Sequence, residues 1–359
     1  MADREPRHLA SGTALRAVIR AILTNVRETS SPMCQGSPTG IIPGFMESVQ
    51  ICDACGAALG GHRVEGMAEI SLIQCDCGLV ITSPRPAPDE LGQYYPSTYY
   101  SYVPKTPTRK SRLLAKFRAY KCGYPAKDAL FERLVWRAVA SLLGNSFQFY
   151  LPCQGPGKSL LEIGCGTGDD LDWARQNGWD VHGLELNESA VEYARKRGLD
   201  VRCSTFENAN LSSNSFDCIF MSQVLEHLHS PTLALQRCHQ LLRPGGLLLV
   251  GVPKFDSWTR HAMGNYWHCL QFPIHLHHFS QPVLERMVRD AGFQVREVRF
   301  SSKLLSLFYA LRGMKQFHIP ARVFTRPRAL SDRMVLVAEK AVLTRNSSRP
   351  SCLTLYADH

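Results

Sequence analysis

A run of glycines flanked by acids is the stretch of the chain best suited to chemistry. Gly164, Gly166 and Gly168 alternate with other residues, and Glu162 stands two positions before them. Glycines in this pattern permit a tight turn and the close approach of a ligand to the backbone. An acid beside the turn suits a ligand with an amino or positively charged end. Glu185, at the end of the next apolar run, is placed to accept the two hydroxyls of a ribose.

The elements around this turn are predicted to form a strand–helix–strand unit. The apolar run before Gly164 is too short for a helix and predicts a strand buried on both faces. A helix is expected over Asp169 to Asn177, ended by Gly178, and a second strand over Asp180 to Leu186. A dinucleotide-binding turn needs a small residue where this chain has Asp169, and the Gly-Lys-Ser/Thr of a phosphate-binding loop is absent. S-adenosylmethionine is therefore favoured over NAD.

Several segments carry a resemblance to a known family: LEIGCGTG, GLELNESAVEYARKRG, SFDCIFMSQVLEHL, LLRPGGLLLVGVP and HLHHFS. Together they resemble the class I S-adenosylmethionine-dependent methyltransferases, in particular a bacterial group with a small Cys-rich module ahead of the catalytic domain. The resemblance implies an α/β, Rossmann-like fold with a seven-stranded, mostly parallel sheet of order 3-2-1-4-5-7-6, in which the last strand is antiparallel. It also implies an enzyme that uses S-adenosyl-L-methionine as its cofactor.

A third strand is predicted over Leu199 to Cys203. Many related enzymes place an acid directly after this strand, where it binds the adenine amino group. In this chain the candidates are Phe206, to cover the adenine ring, and Glu207, to accept a hydrogen bond from the amino group. A backbone group at the same place is the alternative.

Histidines are the candidate general bases. His227 follows the predicted fourth strand, at the edge where open parallel sheets bind ligands, and an imidazole pKa suits proton removal near neutral pH. Its alternative role is to fix the local turn. His275 and His278 lie in a His-rich segment that resembles the family's acceptor loop, and they are the second choice. Ile274 replaces the family's arginine in this loop. Metal binding and local hydrogen bonding are the other interpretations of the histidine cluster.

Four cysteines upstream predict a structural zinc site: Cys52, Cys55, Cys75 and Cys77. Two pairs of cysteine thiolates supply the four ligands of a tetrahedral zinc ion. A module this small also needs a metal site or disulfides to stabilise its fold, because its hydrophobic core is small. Related enzymes usually carry C-x-x-C on both knuckles, whereas the second pair here is one residue closer. His62 is therefore an alternative ligand, and a module that has lost its metal is an alternative state.

Composition limits the classes of protein to consider. The chain has 359 residues, of which 45% are hydrophobic and 20% charged, as in soluble globular proteins. No apolar run of the sequence approaches the length of ~20 residues that a membrane-spanning helix needs. The 13 cysteines are scattered along the chain, which favours a reducing, cytoplasmic compartment. The net charge is +10, with an acid-free basic stretch from Lys105 to Lys121. This stretch is either a solvated helix face or a contact for an anionic surface; without an RNA-binding or helix-turn-helix motif, nucleic acid is not expected.

The chain is predicted to consist of a basic arm and linker (1–48), a zinc-ribbon-like module (49–83), a Pro/Tyr-rich connector with a basic helical cap (84–157), a methyltransferase domain (158–342) and a tail (343–359). The tyrosines from Tyr94 to Tyr102 either cover the substrate pocket or pack between module and main domain. Further helices are expected at Ala14–Glu28, Arg112–Tyr120, Asp128–Leu143 and Leu304–Leu311.

The acceptor implied by the resemblance is a small molecule, a sugar or a glycan-linked group, with a quinone-type ring hydroxyl as the alternative. A non-catalytic scaffold that binds an anionic partner is the competing hypothesis. The intact glycine turn with both acids argues against the scaffold, because a site without ligand has no physical need for them.

Overall fold

The computed structural model describes residues 45–60, 63–67, 70–96, 99, 101–104, 106, 108–124, 151, 157–267, 269–300 and 332–342. The helices expected at Ala14–Glu28, Asp128–Leu143 and Leu304–Leu311, and the alternative ligand His62, lie outside these residues. Within the described part, no helix is long and apolar enough to cross a membrane.

The strands are β1 (Met46–Glu47), β2 (Arg63–Met67), β3 (Ile70–Gln74), β4 (Val80–Ser83), β5 (Arg85–Pro86), β6 (Ser159–Ile163), β7 (Asp180–Glu185), β8 (Asp200–Cys203), β9 (Phe216–Ser222), β10 (Leu242–Pro253), β11 (His277–His278), β12 (Phe293–Phe300) and β13 (Arg333–Lys340). The α-helices are α1 (Arg109–Lys121), α2 (Asp169–Gln176), α3 (Glu188–Lys196), α4 (Pro231–Leu241), α5 (Trp258–Met263) and α6 (Gln281–Asp290). Short 3-10 turns include Leu225–His227.

The central sheet has seven strands in the order β8-β7-β6-β9-β10-β13-β12. Numbered along the chain, this order is 3-2-1-4-5-7-6. Neighbouring strands are parallel except at β13, which is antiparallel to both β10 and β12. The predicted fold class and strand order are confirmed.

Alternating side chains of the buried strand β6 enter two separate cores. Leu161 and Ile163 join the core cluster that contains residues of α4 and α6, whereas Leu160 joins the cluster that contains residues of α2 and α3. A strand covered on both faces must be apolar throughout, which explains its continuous apolar run. The sheet therefore forms the middle of three layers, with its carboxyl edge open to a ligand.

Local sequence signals fix the first two crossover helices. Helix α2 ends one residue before Asn177, and the following Gly178 has a φ of +92° and donates its N–H to the Arg175 carbonyl. Helix α3 begins after Asn187, whose side chain accepts the Ala190 N–H at 2.9 Å. The Gly178 cap matches the predicted helix end, and Asn187 is a residue type preferred at helix N-caps.

A second sheet joins the Cys-rich module to the larger domain. Its order is β11-β4-β3-β2, all antiparallel. Strand β11 comes from the His-rich segment about two hundred residues further along the chain, and its His277 and His278 pair with Ile81 and Val80 of β4. The predicted module therefore shares its sheet with the predicted acceptor loop.

Candidate functional site

The glycine turn has the backbone geometry that the sequence requires. Gly164, Gly166 and Gly168 all have positive φ angles, between +53° and +79°. A Cβ on Gly166 would lie 2.5 Å from the Ser101 carbonyl oxygen, and one on Gly164 would lie 2.6 Å from the Val224 side chain. These two positions therefore demand glycine for space as well as for conformation.

Glu185 holds the turn from the end of β7. Its Oε2 accepts the Gly166 N–H at 2.8 Å, and its Oε1 accepts the Leu186 and Asn187 N–H groups at 2.7 and 3.0 Å. A carboxylate has about four acceptor positions, so Oε2 keeps one for a further donor. That remaining position fits a ribose hydroxyl, while the contact with Gly166 fixes the turn.

Glu162 fits the amino end of the cofactor. It is buried beneath the turn, and its Oε2 has no hydrogen-bond partner among the described residues. Burial, reinforced by Asp170, raises the pKa of this carboxyl well above its usual value, although the Arg118 guanidinium acts in the opposite direction. A buried acceptor without a donor is costly. S-adenosylmethionine supplies an ammonium group that satisfies such an acceptor, so the residues around the turn fit this cofactor.

The adenine candidates occupy different environments. The Phe206 ring is buried in the core cluster beneath the sheet edge, with the Arg237 guanidinium 5.0 Å above its centroid. Glu207 is exposed, and its carbonyl accepts an Arg237 N–H at 2.5 Å. Assignment of this pair to the adenine stays a prediction.

The tyrosine-rich segment contacts both the turn and the module. The Ser101 carbonyl accepts the Thr167 N–H at 3.1 Å, directly over the glycine turn. The Tyr95 hydroxyl lies 2.8 Å from His227 Nδ1, while the Tyr94 hydroxyl donates to Met46 Sδ at 3.7 Å. Tyr94 therefore contacts β1 and Tyr95 contacts the turn after β9, and the role of this segment at a substrate pocket stays a prediction.

The basic stretch is partly a packing element. Helix α1 extends the predicted Arg112–Tyr120 by a few residues at its start. Its Arg118 pairs with Asp170 in the first turn of α2 and stacks over the Trp173 ring, 4.0 Å from the centroid. The Arg118 side chain is mostly covered, with 13% of its surface exposed. At least this member of the basic stretch therefore supports the cofactor turn rather than an anionic surface.

His227 is a weaker base than its residue type suggests. It ends the 3-10 turn after β9, and its Nδ1 lies 2.9 Å from the Ile274 carbonyl. A carbonyl can only accept, so Nδ1 carries the proton and Nε2 is the basic nitrogen. Burial lowers the pKa of His227 to about 4. The expectation of an ordinary imidazole pKa was wrong, because the environment excludes water from the charged form.

The His-rich loop is clamped between the module and the turn after β9. The Leu276 N–H donates to the Glu226 carbonyl at 2.8 Å, and the Thr82 hydroxyl donates to the His275 carbonyl at 2.7 Å. The Thr82 hydroxyl also lies 3.0 Å from His278 Nε2. Burial lowers the pKa of His278 to about 3 and that of His275 well below its usual value. The His227 and His275 rings meet edge to face, 4.6 Å apart, whereas His278 points to the module.

Glu226 is a residue that the sequence analysis did not select. It is fully buried, and burial raises the pKa of its carboxyl to about 8. The sequence offered only a weak signal, namely an acid directly after the apolar pair Val224 and Leu225.

The four cysteine sulfurs converge. Cys52 Sγ lies 3.6 Å from Cys77 Sγ, Cys55 Sγ lies 3.5 Å from Cys75 Sγ, and all four lie within 4.8 Å of one another. Sulfurs around a tetrahedral zinc are about 3.8 Å apart, given Zn–S bonds of about 2.3 Å. The shorter second knuckle therefore does not prevent four-sulfur ligation, and the set fits a closed structural zinc site.

A cavity of about 360 Å³ opens at the opposite edge of the sheet, lined by residues such as Ser159, Asp180 and Phe216. These residues begin their strands, whereas the glycine turn and Glu185 follow the strand ends. Ligands of open parallel sheets bind at the carboxyl edge. This cavity is therefore separate from the candidate site.

The sheet order, the glycine turn after β6 and the acid at the end of β7 define an α/β protein of the methyltransferase type. Residues 135–298 match a family profile described as a methyltransferase domain. A probable S-adenosylmethionine-dependent methyltransferase of Mycolicibacterium smegmatis is 30% identical over 145 residues, covering 39% of this chain and 54% of that protein. A ubiquinone biosynthesis O-methyltransferase of Pseudomonas paraeruginosa is 28% identical over 157 residues, covering 40% of this chain and 67% of that protein.

Among solved structures, a S-adenosylmethionine-dependent methyltransferase from Mesorhizobium loti aligns with a TM-score of 0.39 and 17% identity, over 57% of this chain and 96% of that one. The match to the mycobacterial relative spans only about half of that protein's length. Somewhat less than half of the chain therefore matches the methyltransferase domain profile, and the strand order is that of the class I S-adenosylmethionine-dependent methyltransferase fold.

Proposed function

We propose that the protein transfers a methyl group from S-adenosylmethionine to a small-molecule, sugar or glycan-linked acceptor by direct displacement. The observation that carries the proposal is the pair of buried carboxylates around the glycine turn. Glu162 has an oxygen without a donor, and Glu185 keeps one acceptor position free beside Gly166. A cofactor with an ammonium at one end and a ribose at the other satisfies both.

The chain's own contribution to the reaction is alignment and exclusion of water. The cofactor's sulfonium makes the methyl group electrophilic, so the acceptor needs mainly to be held in line with the sulfur–methyl bond. Ser101 lies over the glycine turn on one side, Tyr95 contacts His227, and the His275 loop lies against the turn after β9. An oxygen or nitrogen acceptor also loses a proton. His227 is neutral at physiological pH, because burial lowers its pKa to about 4, and its Nε2 is the candidate acceptor of that proton.

A quinone-type ring hydroxyl is the second acceptor class. It is supported by relatives that are named ubiquinone biosynthesis O-methyltransferases. Zinc in the four-cysteine module would stabilise the fold rather than take part in the reaction, because four cysteine ligands leave no open coordination position on the ion.

Calorimetric titration with S-adenosylmethionine and S-adenosylhomocysteine tests the cofactor site. We expect affinity in the micromolar range for the wild type and a loss of at least tenfold, about 1.4 kcal/mol, in Glu185→Ala and Glu185→Gln. Glu188→Ala is the matched control, because Glu188 is an exposed acid in the same connection. Folding of each variant is checked by denaturant titration, since Glu185 also holds the turn.

Binding is followed by an acceptor screen that uses isotopically labelled methyl groups. The absence of binding by folded wild-type protein would refute the methyltransferase proposal. Salt-dependent binding to an anionic polymer in that case would support the scaffold hypothesis instead.

A further inference from the structure

Three side chains that meet beside the predicted acceptor position form a cluster with the composition of a metal site. Glu226 and His227 lie in the 3-10 turn after β9, and His275 lies in the loop before β11. Each offers one ligand atom, and the three atoms lie within 4.8 Å of one another. The cluster is distinct from the four cysteines of the module.

The Glu226 carboxylate is the first argument for a bound cation. The side chain is fully buried, and neither of its oxygens has a hydrogen-bond partner among the described residues. Buried carboxylates are normally paired or coordinate metals, because burial of an unsatisfied acid is expensive. Arg333 is the cation whose field reaches this carboxyl, and its effect on the pKa is smaller than that of burial.

The two histidines are oriented as metal ligands are. His227 uses Nδ1 to donate to the Ile274 carbonyl, which leaves Nε2 as a lone-pair donor. The His275 ring hydrogen-bonds the Cys269 backbone, while its buried Nδ1 has no partner in the described part of the chain. A metal-ligating histidine almost always donates its other ring N–H to a carbonyl or carboxylate, which fixes the tautomer and the ring orientation.

We propose that Glu226, His227 and His275 bind a divalent transition-metal ion at the acceptor end of the active site. Two imidazoles and one carboxylate suit Zn²⁺, Fe²⁺ or Mn²⁺ and leave coordination positions open for other ligands. Ligand atoms around a tetrahedral ion with bonds of about 2.1 Å lie about 3.4 Å apart. The observed limit of 4.8 Å exceeds this spacing, so the three side chains must move closer together to ligate an ion.

The place of the cluster defines what the ion does. Val224, two residues before Glu226, packs against Gly164 of the cofactor turn, and Tyr95 joins His227 to the segment over that turn. This step rests on the proposed function: an acceptor hydroxyl that binds the ion releases its proton to solvent more easily. The oxygen lone pair then forms the new O–CH₃ bond as the S–CH₃ bond breaks, and that electron pair stays on sulfur. The products are a methyl ether and S-adenosylhomocysteine. While the ion is bound, His227 Nε2 is occupied as a ligand, so solvent takes the proton that the metal-free site would pass to His227.

Manganese is the probe that separates this cluster from the thiolate site, because Mn²⁺ prefers carboxylate and imidazole ligands and zinc keeps the cysteines. Full-length protein that holds only one zinc per chain, as verified by elemental analysis, is titrated with Mn²⁺, and free Mn²⁺ is measured by electron paramagnetic resonance. We expect one bound Mn²⁺ per chain, with spin-echo modulation from imidazole nitrogen. Glu226→Gln and His275→Asn should each weaken binding at least tenfold. His278→Asn is the matched control, because His278 is an equally buried histidine of the same loop outside the cluster.

Each outcome decides the proposal. Absence of Mn²⁺ binding by folded wild-type protein, or equal binding by Glu226→Gln, would overturn it and leave Glu226 as a buried neutral acid. Glu226→Gln preserves shape, so it decides the matter even where His275→Asn does not fold. Titration of the same samples with S-adenosylmethionine separates the two proposals. Cofactor binding without Mn²⁺ binding refutes the metal site alone, and Mn²⁺ binding without cofactor binding refutes the proposed function alone.

Discussion

Replacement of Gly166 by alanine tests whether the tyrosine-rich segment closes the cofactor turn. Gly166 has a φ of +53°, and a Cβ there would lie 2.5 Å from the Ser101 carbonyl oxygen, a backbone atom that cannot rotate away. Gly198 provides the matched control. Its φ is +77°, but a Cβ there would meet only the flexible end of Arg175, at 3.8 Å. The two variants therefore share the conformational strain and differ in the collision.

The expected magnitudes follow from these contacts. A left-handed conformation costs a residue with a side chain about 1–2 kcal/mol, and this cost applies to both variants. Only Gly166→Ala must displace Ser101, which removes the acceptor of the buried Thr167 N–H. A buried donor without a partner costs about 1–3 kcal/mol. We therefore expect the free energy of unfolding to fall by about 1–2 kcal/mol in Gly198→Ala and by about 2–5 kcal/mol in Gly166→Ala.

Denaturant unfolding measures the stabilities, and calorimetry with S-adenosylmethionine measures the effect on the turn. Gly166→Ala should also lose at least tenfold in cofactor affinity, whereas Gly198→Ala should keep wild-type affinity. Equal destabilisation of the two variants with unchanged cofactor binding would refute the closure of the turn by the Ser101 segment.

The remaining predictions concern the zinc module and the buried histidine loop. Cobalt-substituted protein should show thiolate-to-metal charge-transfer bands that weaken in Cys77→Ser but not in Cys122→Ser, since Cys122 is a buried thiol outside the cluster; identical spectra would refute four-sulfur ligation. His278 has its pKa lowered from 6.5 to about 3, by burial first and then by His277 and Arg260. The unfolded state thus binds a proton that the folded state does not, and this histidine removes about 1.4 kcal/mol of stability per pH unit as pH falls below 6.5. Unfolding of wild type and His278→Asn between pH 6.5 and 4.5 should show that difference in slope; parallel curves would contradict the burial of the imidazole.

Much of the catalytic sheet could be predicted because its signals are local. A short apolar run before glycines predicted β6, and Gly178 predicted the end of α2, each from interactions within a few residues. The observed ends of these helices and strands differ from the predicted ends by only one to three residues. The order of the strands was not local information; it came from the family resemblance, which the observed sheet confirms.

The candidate site was less predictable because it is assembled by distant segments. Sequence spacing predicted a zinc site but left open whether the closer second pair of cysteines completes it, whereas the fold brings all four sulfurs together. An ordinary pKa was expected for His227, but burial by the segments of Tyr95 and Ile274 lowers it. Glu226 was passed over, since its lack of a partner is visible only when the surrounding elements are in place.

The shared sheet gives the zinc module a direct physical link to the acceptor loop. Asp53, next to a cysteine ligand, lies 2.8 Å from both His277 Nε2 and Arg85 Nη1. The pKa of Asp53 is lowered, since its bonds to His277 and Arg85 outweigh the effect of burial, so the carboxylate is charged and holds both partners. Thr82 of β4 bonds the backbone of His275 in turn. Loss of zinc would loosen Asp53 and β4 together, because a module this small has little other core. The module thus helps to position the loop that carries His275, which is the loop predicted to face the acceptor.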